Sequence, residues 1–341
     1  MRRVAGVLLI ALGVFAVTLG FMLPTVVYNR LAVAPLDPDA ETVAQGTNVT
    51  VLYPSLIAQG AANPVRTDVT VTARRVVSGK LDAPEVKLNG DVALWRVGLV
   101  VEDEKSTLIN AVEQWVCVDR RTAEGQQKCT EQKIDDGTSV VTDVNQAGLA
   151  YKFPFNTERK TYTFFDVTLH KATPIVYDGD ETINGLKTYR FLQRIEPTKV
   201  DTRDVPAALL GGTTGAVTAD RMYQNARRVW VEPATGQIVK GSEEVRQWLV
   251  NPANGRGLPV LQGTLTWTPQ TIQRQVDDEK KNADKLNMLT NTAPLVLWIV
   301  GGVMLVLGIF LTVMGSRSGG SVHRHRGSRT QKPEPAAARS A

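Results

Sequence analysis

The sequence is poor in the residues that most enzymes and metal centres use. Its 341 residues include only two cysteines and three histidines. His323 and His325 lie among arginines, with no carboxylate or thiol beside them to complete a metal site. A Ser/His/Asp hydrolase would depend on His170, which lies in an alternating segment typical of a strand surface, and no G-x-S-x-G motif is present. We predict that the protein is not an enzyme and has no catalytic residue, metal or cofactor.

Other signatures of ligand chemistry are incomplete. Residues 211–215 (GGTTG) resemble a phosphate loop, but no Lys-Ser or Lys-Thr follows, so a flexible loop is the simpler interpretation. The acidic clusters at 135–136, 178–181 and 277–279 lack the alternating ligand spacing of a calcium loop and are typical of solvated turns. The sequence therefore favours neither nucleotide-dependent nor calcium-dependent chemistry.

Two long runs without a charged residue lie near the ends of the chain. Each contains a stretch, residues 4–27 and 293–314, that is long enough for the roughly 20 residues needed to cross a bilayer. Arg2 and Arg3 before the first run would also suit a cleaved signal peptide. That run, however, exceeds the usual apolar region of about 7–15 residues, and no A-x-A site follows it. We therefore predict two transmembrane helices, at 4–27 and 293–314.

The distribution of charge predicts the orientation of the chain. The net charge is +5, but the two ends hold eight basic residues and one acidic residue, so the middle is slightly acidic. Because basic residues flank membrane helices on the cytoplasmic side, both termini are expected in the cytoplasm. We therefore expect a two-pass protein of the cell membrane. It has a cytoplasmic N-terminus at 1–3, an extracytoplasmic domain at 28–292, and a basic, disordered cytoplasmic tail at 315–341. Because the excess positive charge lies in the ends, no nucleic-acid partner is expected.

Both cysteines, Cys117 and Cys129, lie in the extracytoplasmic segment. In an oxidising compartment a disulfide is the default state of such a pair. The bridge would close a hairpin and stabilise the fold by about 3 kcal/mol. A catalytic thiol would need a base beside it, and the only histidine of this segment is far away in sequence. We therefore predict a structural disulfide.

The 28–292 segment has mostly an apolar period of two, which predicts an antiparallel β domain. Asn184-Gly185 is a favoured two-residue hairpin turn, and Pro233 to Gly236 form a type I turn. Residues 276–292 break the pattern and predict a membrane-proximal helix. The strand-like segments lie at 68–77, 91–101, 111–119, 161–170, 187–195, 227–231, 237–245 and 263–270.

Three short motifs resemble elements of the class B scavenger receptor family, which includes the fatty-acid translocases. INGLKTYRFL (183–192) resembles its G-φ-x-x-Y-R-F-φ element, RVWVEPATGQIV (228–239) its V-E-P-x-T-G hairpin, and residues 278–280 the D-E-K of its membrane-proximal helix. The chain also resembles the actinobacterial two-span envelope proteins called PorA porins. The motif residues that we expect to be structural are Gly185, Tyr189, Arg190, Phe191, Glu232, Pro233, Thr235, Gly236, Asp278, Glu279 and Lys280.

Strand alternation suggests where some of these side chains lie. Tyr189, Phe191 and Trp230 are expected to pack inside the β domain. Arg190 lies between two aromatic residues and should point to the opposite face, where an ion pair on the outside is the simpler interpretation. A polar role in a tunnel wall or an interface is the alternative.

The resemblance implies a barrel-like extracytoplasmic β domain, between its transmembrane helices, that passes lipids through an apolar tunnel. We expect lipid handling in the cell envelope, with fatty or mycolic acyl ligands, although the sequence identifies no lipid-binding residue. The alternative is a non-enzymatic scaffold that binds envelope proteins. An aqueous pore ranks last, because two helices cannot enclose one and charged strands are costly in hydrocarbon. A homo-oligomer formed through Gly301 and Gly302 would change that ranking.

Overall fold

The computed structural model describes residues 2–317 and divides them between two compact units. One unit comprises residues 25–290, and the other comprises residues 2–24 together with 291–317. Met1 and the predicted tail from residue 318 onwards lie outside the described residues. The helices are α1 (Arg2–Met22), a π-helix (Leu23–Val27), α2 (Tyr28–Leu31), α3 (Pro54–Ala58), α4 (Pro84–Leu88), a 3₁₀-helix (Ala207–Leu210), α5 (Pro269–Asn287), a second π-helix (Met288–Thr292) and α6 (Ala293–Arg317).

Fourteen strands within residues 2–317 form one sheet, and every pairing is antiparallel except that of β8 with β9. The strands are β1 (Ala40–Leu52), β2 (Val65–Gly79), β3 (Val92–Asp103), β4 (Leu108–Asp119), β5 (Glu124–Gly125), β6 (Lys133–Asp135), β7 (Val140–Val141), β8 (Gly148–Leu149), β9 (Tyr162–Asp166), β10 (Lys171–Ile183), β11 (Leu186–Pro206), β12 (Ala216–Val231), β13 (Ile238–Val250) and β14 (Gly257–Trp267).

Twelve of these strands close into a ring. The order is β3-β2-β1-β14-β13-β12-β11-β10-β9-β8-β5-β4, and the pairing of β3 with β4 joins the two ends. β6 and β7 extend the sheet beyond β4. The short strands β5 and β8 complete the ring through only one or two residue pairs with each neighbour. The predicted fold, mainly β with an antiparallel barrel-like domain between two apolar helices, is confirmed.

The hairpin between β10 and β11 turns at the two residues that the sequence indicated. Asn184 and Gly185 both have positive φ, +47° and +83°, as a type I′ turn requires. The flanking residues Ile183 and Leu186 are paired across the hairpin. Short-range turn chemistry therefore fixes this register.

The predicted disulfide between Cys117 and Cys129 is confirmed. Both residues are buried, and their Cα atoms are 5.6 Å apart. Cys117 lies in β4, and Cys129 lies in the loop between β5 and β6, so the bridge ties this loop to the barrel wall.

Replacing both cysteines with alanine is expected to lower the free energy of unfolding by about 3 kcal/mol, because the unfolded chain regains loop entropy. Denaturant unfolding of the full-length protein in detergent measures this difference. A reducing agent should destabilise the wild-type protein by a similar amount and leave the double variant unchanged. Equal stability of wild type and variant under oxidising conditions would show that the bridge contributes nothing.

Helix α5 begins earlier than the sequence pattern suggested. The pattern predicted a helix from Val276, but α5 starts at Pro269. The Thr268 hydroxyl accepts a hydrogen bond from the Thr271 N–H, and Pro269 occupies the first turn, where its missing N–H costs nothing. The start was missed because this first turn contains few apolar residues.

Trp230 does not pack inside the barrel, so that expectation is wrong. Its neighbours in β12, Val229 and Arg227, face the barrel interior, and alternation places Trp230 on the outer face. There it is buried in a cluster with Val239 and with Val276 of α5. The sequence could not show that a helix covers this part of the outer face.

In the other unit, α1 and α6 pack closely along a line of glycines. Gly6, Gly13 and Gly20 recur every seven residues, and each lies where a side chain would collide with α6. A Cβ on Gly13 would come within 2.8 Å of the Gly301 carbonyl oxygen, and one on Gly6 equally close to that of Gly308. Such small-residue seams let membrane helices approach closely. Gly301 is therefore used within the chain, whereas a Cβ on Gly302 would meet no atom within 4 Å, and the contact between copies stays a prediction.

Candidate functional site

The barrel encloses a cavity of about 250 Å³. Eight strands line it: β1, β2, β3, β4, β9, β12, β13 and β14. In β1, β2, β3 and β4 alternate residues face inward, such as Ala73, Arg75 and Val77 of β2. A volume of this size has room for several water molecules, at roughly 30 Å³ each.

A network of charged and polar side chains lies on the inner face of the barrel. Arg227 of β12 binds the Asp166 carboxylate at 3.0 Å and the Glu243 carboxylate at 3.1 Å. The same guanidinium donates to Oε1 of Gln193 at 2.5 Å. The Tyr223 hydroxyl donates to Asp166 at 2.9 Å. These contacts join β9, β11, β12 and β13 along the inner wall of the barrel.

Burial and pairing set the ionisation of this network. Burial alone would raise the pKa of Glu243, but the Arg227 charge outweighs it and holds that pKa at about 2. Burial likewise lowers the pKa of Arg227, and the two carboxylates more than reverse the effect. Burial and the nearby Asp166 charge raise the pKa of Tyr223 well above its usual value. Glu243 and Arg227 are therefore ionised at neutral pH, and Tyr223 stays a hydrogen-bond donor.

A second polar group lies on the wall formed by β2 and β4. The Arg75 guanidinium stacks over the Tyr151 ring, with its Cζ atom 5.6 Å from the ring centroid. The Tyr151 hydroxyl donates to Gln114, whose amide donates to Gln146 at 2.6 Å. Gln146 in turn donates to the Trp115 carbonyl at 2.9 Å. This chain of hydrogen bonds fixes the ring beneath Arg75.

A buried lysine, Lys152, also lines the cavity. Its ammonium donates to the backbone carbonyls of Phe153 and Thr235. Burial lowers the pKa of Lys152 to about 7, although the Glu279 and Glu232 charges act in the opposite direction. The Glu279 carboxyl is itself buried on α5, and burial raises its pKa.

The three sequence motifs meet at one end of the barrel. Glu232 accepts hydrogen bonds from the backbone N–H groups of Ala234 and Thr235 at 3.1 and 2.7 Å, which holds the turn that leads to Gly236. Lys280 of α5 donates to the Asn184 carbonyl at 2.7 Å and lies beside Gly185.

The remaining motif residues support the wall of the barrel. Phe191 is fully buried, 4.7 Å from Phe153 between ring centroids, and Tyr189 is half-buried beside it. Arg190 points the other way and binds Asp178 at 2.9 Å and Glu181 at 3.2 Å. Pro233 and Asp278 are partly or fully exposed; the Pro233 carbonyl accepts from Thr157 at 2.7 Å, and Asp278 lies 3.5 Å from Lys281.

His170 is not on a strand, in contrast to the expectation from the alternating pattern. β9 ends at Asp166, and the chain turns sharply to reach His170, whose φ is +55°. The cause is the Asp166 carboxylate, which accepts from the backbone N–H groups of Thr168 and Leu169 at 3.0 and 2.9 Å. Hydrogen bonding of this kind ends a strand in favour of a turn.

The side chains that face the interior are suited to lining a passage. Its carboxylates and its buried guanidinium are paired with one another, and within residues 2–317 no group of three or more His, Cys, Asp or Glu side chains could hold a metal ion. The sequence analysis did not single out Arg75, Asp166, Arg227 or Glu243. The signal was present, because Arg75 and Arg227 fall in phase with the inward-facing apolar residues of β2 and β12.

Comparisons with known proteins identify relatives over nearly the whole chain. The family model described as Porin PorA matches residues 5–310. A protein of Corynebacterium amycolatum named Porin PorA is 26% identical, over 90% of this chain and 98% of the relative. A protein of the same name from Corynebacterium resistens is 23% identical, over 93% of this chain and 98% of the relative. The chain is a membrane protein with two apolar helices, and it belongs to the PorA porin family.

Proposed function

We propose that the protein forms a water-filled pore for small hydrophilic solutes and that the barrel interior is part of the path. The closed ring of twelve strands is the first support. Barrels of eight strands are just wide enough for their own side chains to fill, whereas those of 16–18 strands leave an aqueous channel. A ring of intermediate size has room for a narrow passage, and such a passage needs no catalytic residue.

The observation that carries the proposal is a group of charged and polar side chains within a cavity lining that is otherwise largely apolar. Arg75, Gln114, Asp166, Arg227 and Glu243 all face the interior. Burying charged side chains is costly unless they are paired or solvated, and a core that serves only stability is normally apolar. The interior of porin barrels is characteristically polar. A charged lining inside a closed ring fits the passage of water and small hydrophilic solutes.

The expectation of a lipid-handling protein with an apolar tunnel is wrong. The relatives are named porins, and the strands form a closed barrel. The scaffold alternative and the low rank of an aqueous pore are corrected by the same findings. The motif resemblance led to the error because the motifs bear on turns and packing at one end of the barrel and carry no information about its lining.

The outer face of the barrel constrains how such a pore is built. It carries exposed ion pairs, including Arg74 with Glu41, Arg96 with Glu113 and Lys199 with Asp220. A charged side chain at the bilayer centre costs about 2–4 kcal/mol on the lipid face of a barrel. In this proposal the barrel therefore lies in water, and the apolar helices cross the membrane.

Two helices from one chain cannot enclose an aqueous path. The proposal therefore includes assembly of several copies, whose helix pairs together surround the part of the path within the membrane. The positive charge outside the two spans favours cytoplasmic termini, which would place the barrels on the outer side of the cell membrane. Cross-linking of the full-length protein in liposomes would give the number of copies.

Planar bilayer recording tests the function directly. Purified full-length protein is added to a bilayer in KCl, and the expected result is a series of discrete steps in current. Heat-unfolded protein and detergent alone serve as controls, and neither should give steps. Folded protein that enters the bilayer but gives no steps above these controls would refute the pore.

A further inference from the structure

Arg75 differs from the other arginine of the cavity lining in having no counterion. Arg227, the other arginine in the lining, is bound by two carboxylates. Among the described residues, the Arg75 guanidinium forms no ion pair within 4.0 Å and no hydrogen bond. It stacks over the Tyr151 ring. Its N–H donors are therefore available to the contents of the cavity.

The carboxylates of the cavity lining already accept hydrogen bonds from other groups. Asp166 accepts hydrogen bonds from Tyr223, Arg227 and two backbone N–H groups, and Glu243 accepts from Asn225 and Arg227. Hydrogen bonds of this kind stabilise the ionised form of a carboxylate. Glu243 is close enough to Arg75 for their charges to interact, but it does not pair with it.

The cavity lining beside Arg75 offers a further hydrogen-bond donor. Thr42 of β1 is paired in register with Arg75 and faces the same cavity. The ammonium of Lys152 is directed to two backbone carbonyls and does not neutralise any carboxylate of the cavity. The position is thus one cation with a hydroxyl beside it.

We propose that Arg75 and Thr42 form a binding position for small anions such as chloride, and that this position makes the pore prefer anions to cations. The inference rests on the proposed pore function and names the class of solute that the pore selects. A guanidinium is always charged, is more weakly hydrated than an ammonium and presents several N–H donors to one anion. Arginine and lysine in a pore wall select anions for the same reason.

The test is the reversal potential of the full-length protein in a bilayer with different KCl concentrations on the two sides. The expected result for the wild type is a greater permeability to chloride than to potassium. Arg75→Gln should lower the chloride-to-potassium permeability ratio by about threefold or more, because the attraction of one charge at contact distance is lost. Arg74→Gln is the matched control: this arginine is adjacent on β2, is exposed and pairs with Glu41 on the outer face. It should keep the wild-type ratio.

Each outcome decides between the two proposals. Steps in current that favour potassium, or that keep their chloride preference in Arg75→Gln, would overturn the anion position and leave the pore standing. A complete absence of steps in the wild type would overturn the pore and, with it, this inference. If Arg75→Gln fails to fold, Arg75→Met tests the same point, since it also removes the charge but keeps much of the length of the side chain, and it should lower the chloride-to-potassium ratio in the same way.

Discussion

Replacing Arg227 with methionine is expected to lower the free energy of unfolding by about 3–5 kcal/mol. The change removes the charge shared by Asp166, which is 1% exposed, and Glu243. Breaking a buried ion pair costs this much because the remaining charges have no partner. The Gln193 amide also loses its donor. Denaturant unfolding of the full-length protein in detergent, followed by tryptophan fluorescence, measures the loss.

Arg194→Met is the matched control for this prediction. Arg194 is exposed on the outer face of β11, and its position is paired in register with Ala226. Its replacement should change the stability by no more than about 0.5 kcal/mol, as is usual for surface substitutions. Equal effects of the two substitutions would contradict the conclusion that the network across the barrel stabilises the fold.

Replacing Gly236 with alanine is expected to cost about 3 kcal/mol. Gly236 has a φ of +75°, which costs an ordinary residue roughly 1–2 kcal/mol. In addition, a Cβ would lie 2.2 Å from the Phe153 carbonyl oxygen and 2.4 Å from that of Pro154. Because both are backbone atoms, the turn or the adjacent loop must move, and overpacking of this kind costs about 1–3 kcal/mol.

Gly215→Ala separates the two causes. Gly215 has a similar φ of +80°, but no atom lies within 4 Å of the position that a Cβ would take. Its replacement should therefore cost only the conformational part, about 1–2 kcal/mol. If the two variants lose the same stability in denaturant unfolding, the close approach of the 153–154 loop is not a constraint on Gly236.

Some parts of the fold could be predicted from the sequence because they depend on local chemistry. The turn at Asn184-Gly185 follows from two residues that tolerate positive φ, and the disulfide follows from an isolated pair of cysteines. The two apolar helices follow from run length alone. Each of these features depends on residues close together in the chain or on a constraint that involves few partners.

Closure of the barrel and the content of its interior depend on distant parts of the chain. The ring needs the pairing of β1 with β14, which are over 200 residues apart in the chain. The outward position of Trp230 also depends on α5, which covers it. The inward arginines were overlooked because an arginine in a strand was taken as a solvated residue, whatever its phase.

The resemblance to class B scavenger receptors stays a prediction. Its three motifs lie together at one end of the barrel, where Lys280 binds the Asn184 carbonyl and Glu279 lies near Lys152. Their shared role in this structure is to join the turns of the barrel to helix α5. Packing of this kind is compatible with different contents of the barrel.

The central claim is that the barrel interior conducts, and a single introduced cysteine tests it most directly. Both native cysteines are bridged, so Ala73→Cys supplies the only thiol, on the inward face of β2. Ala226→Cys supplies one on the outer face of β12, beside the exposed Arg194 and Glu244. Both proteins are treated with a bulky methanethiosulfonate reagent, and mass spectrometry confirms that the modification is complete.

In bilayer recordings the account predicts that modification lowers the single-channel conductance of Ala73→Cys and leaves that of Ala226→Cys unchanged. A fully modified Ala73→Cys protein with unchanged conductance would show that solutes do not pass through the barrel.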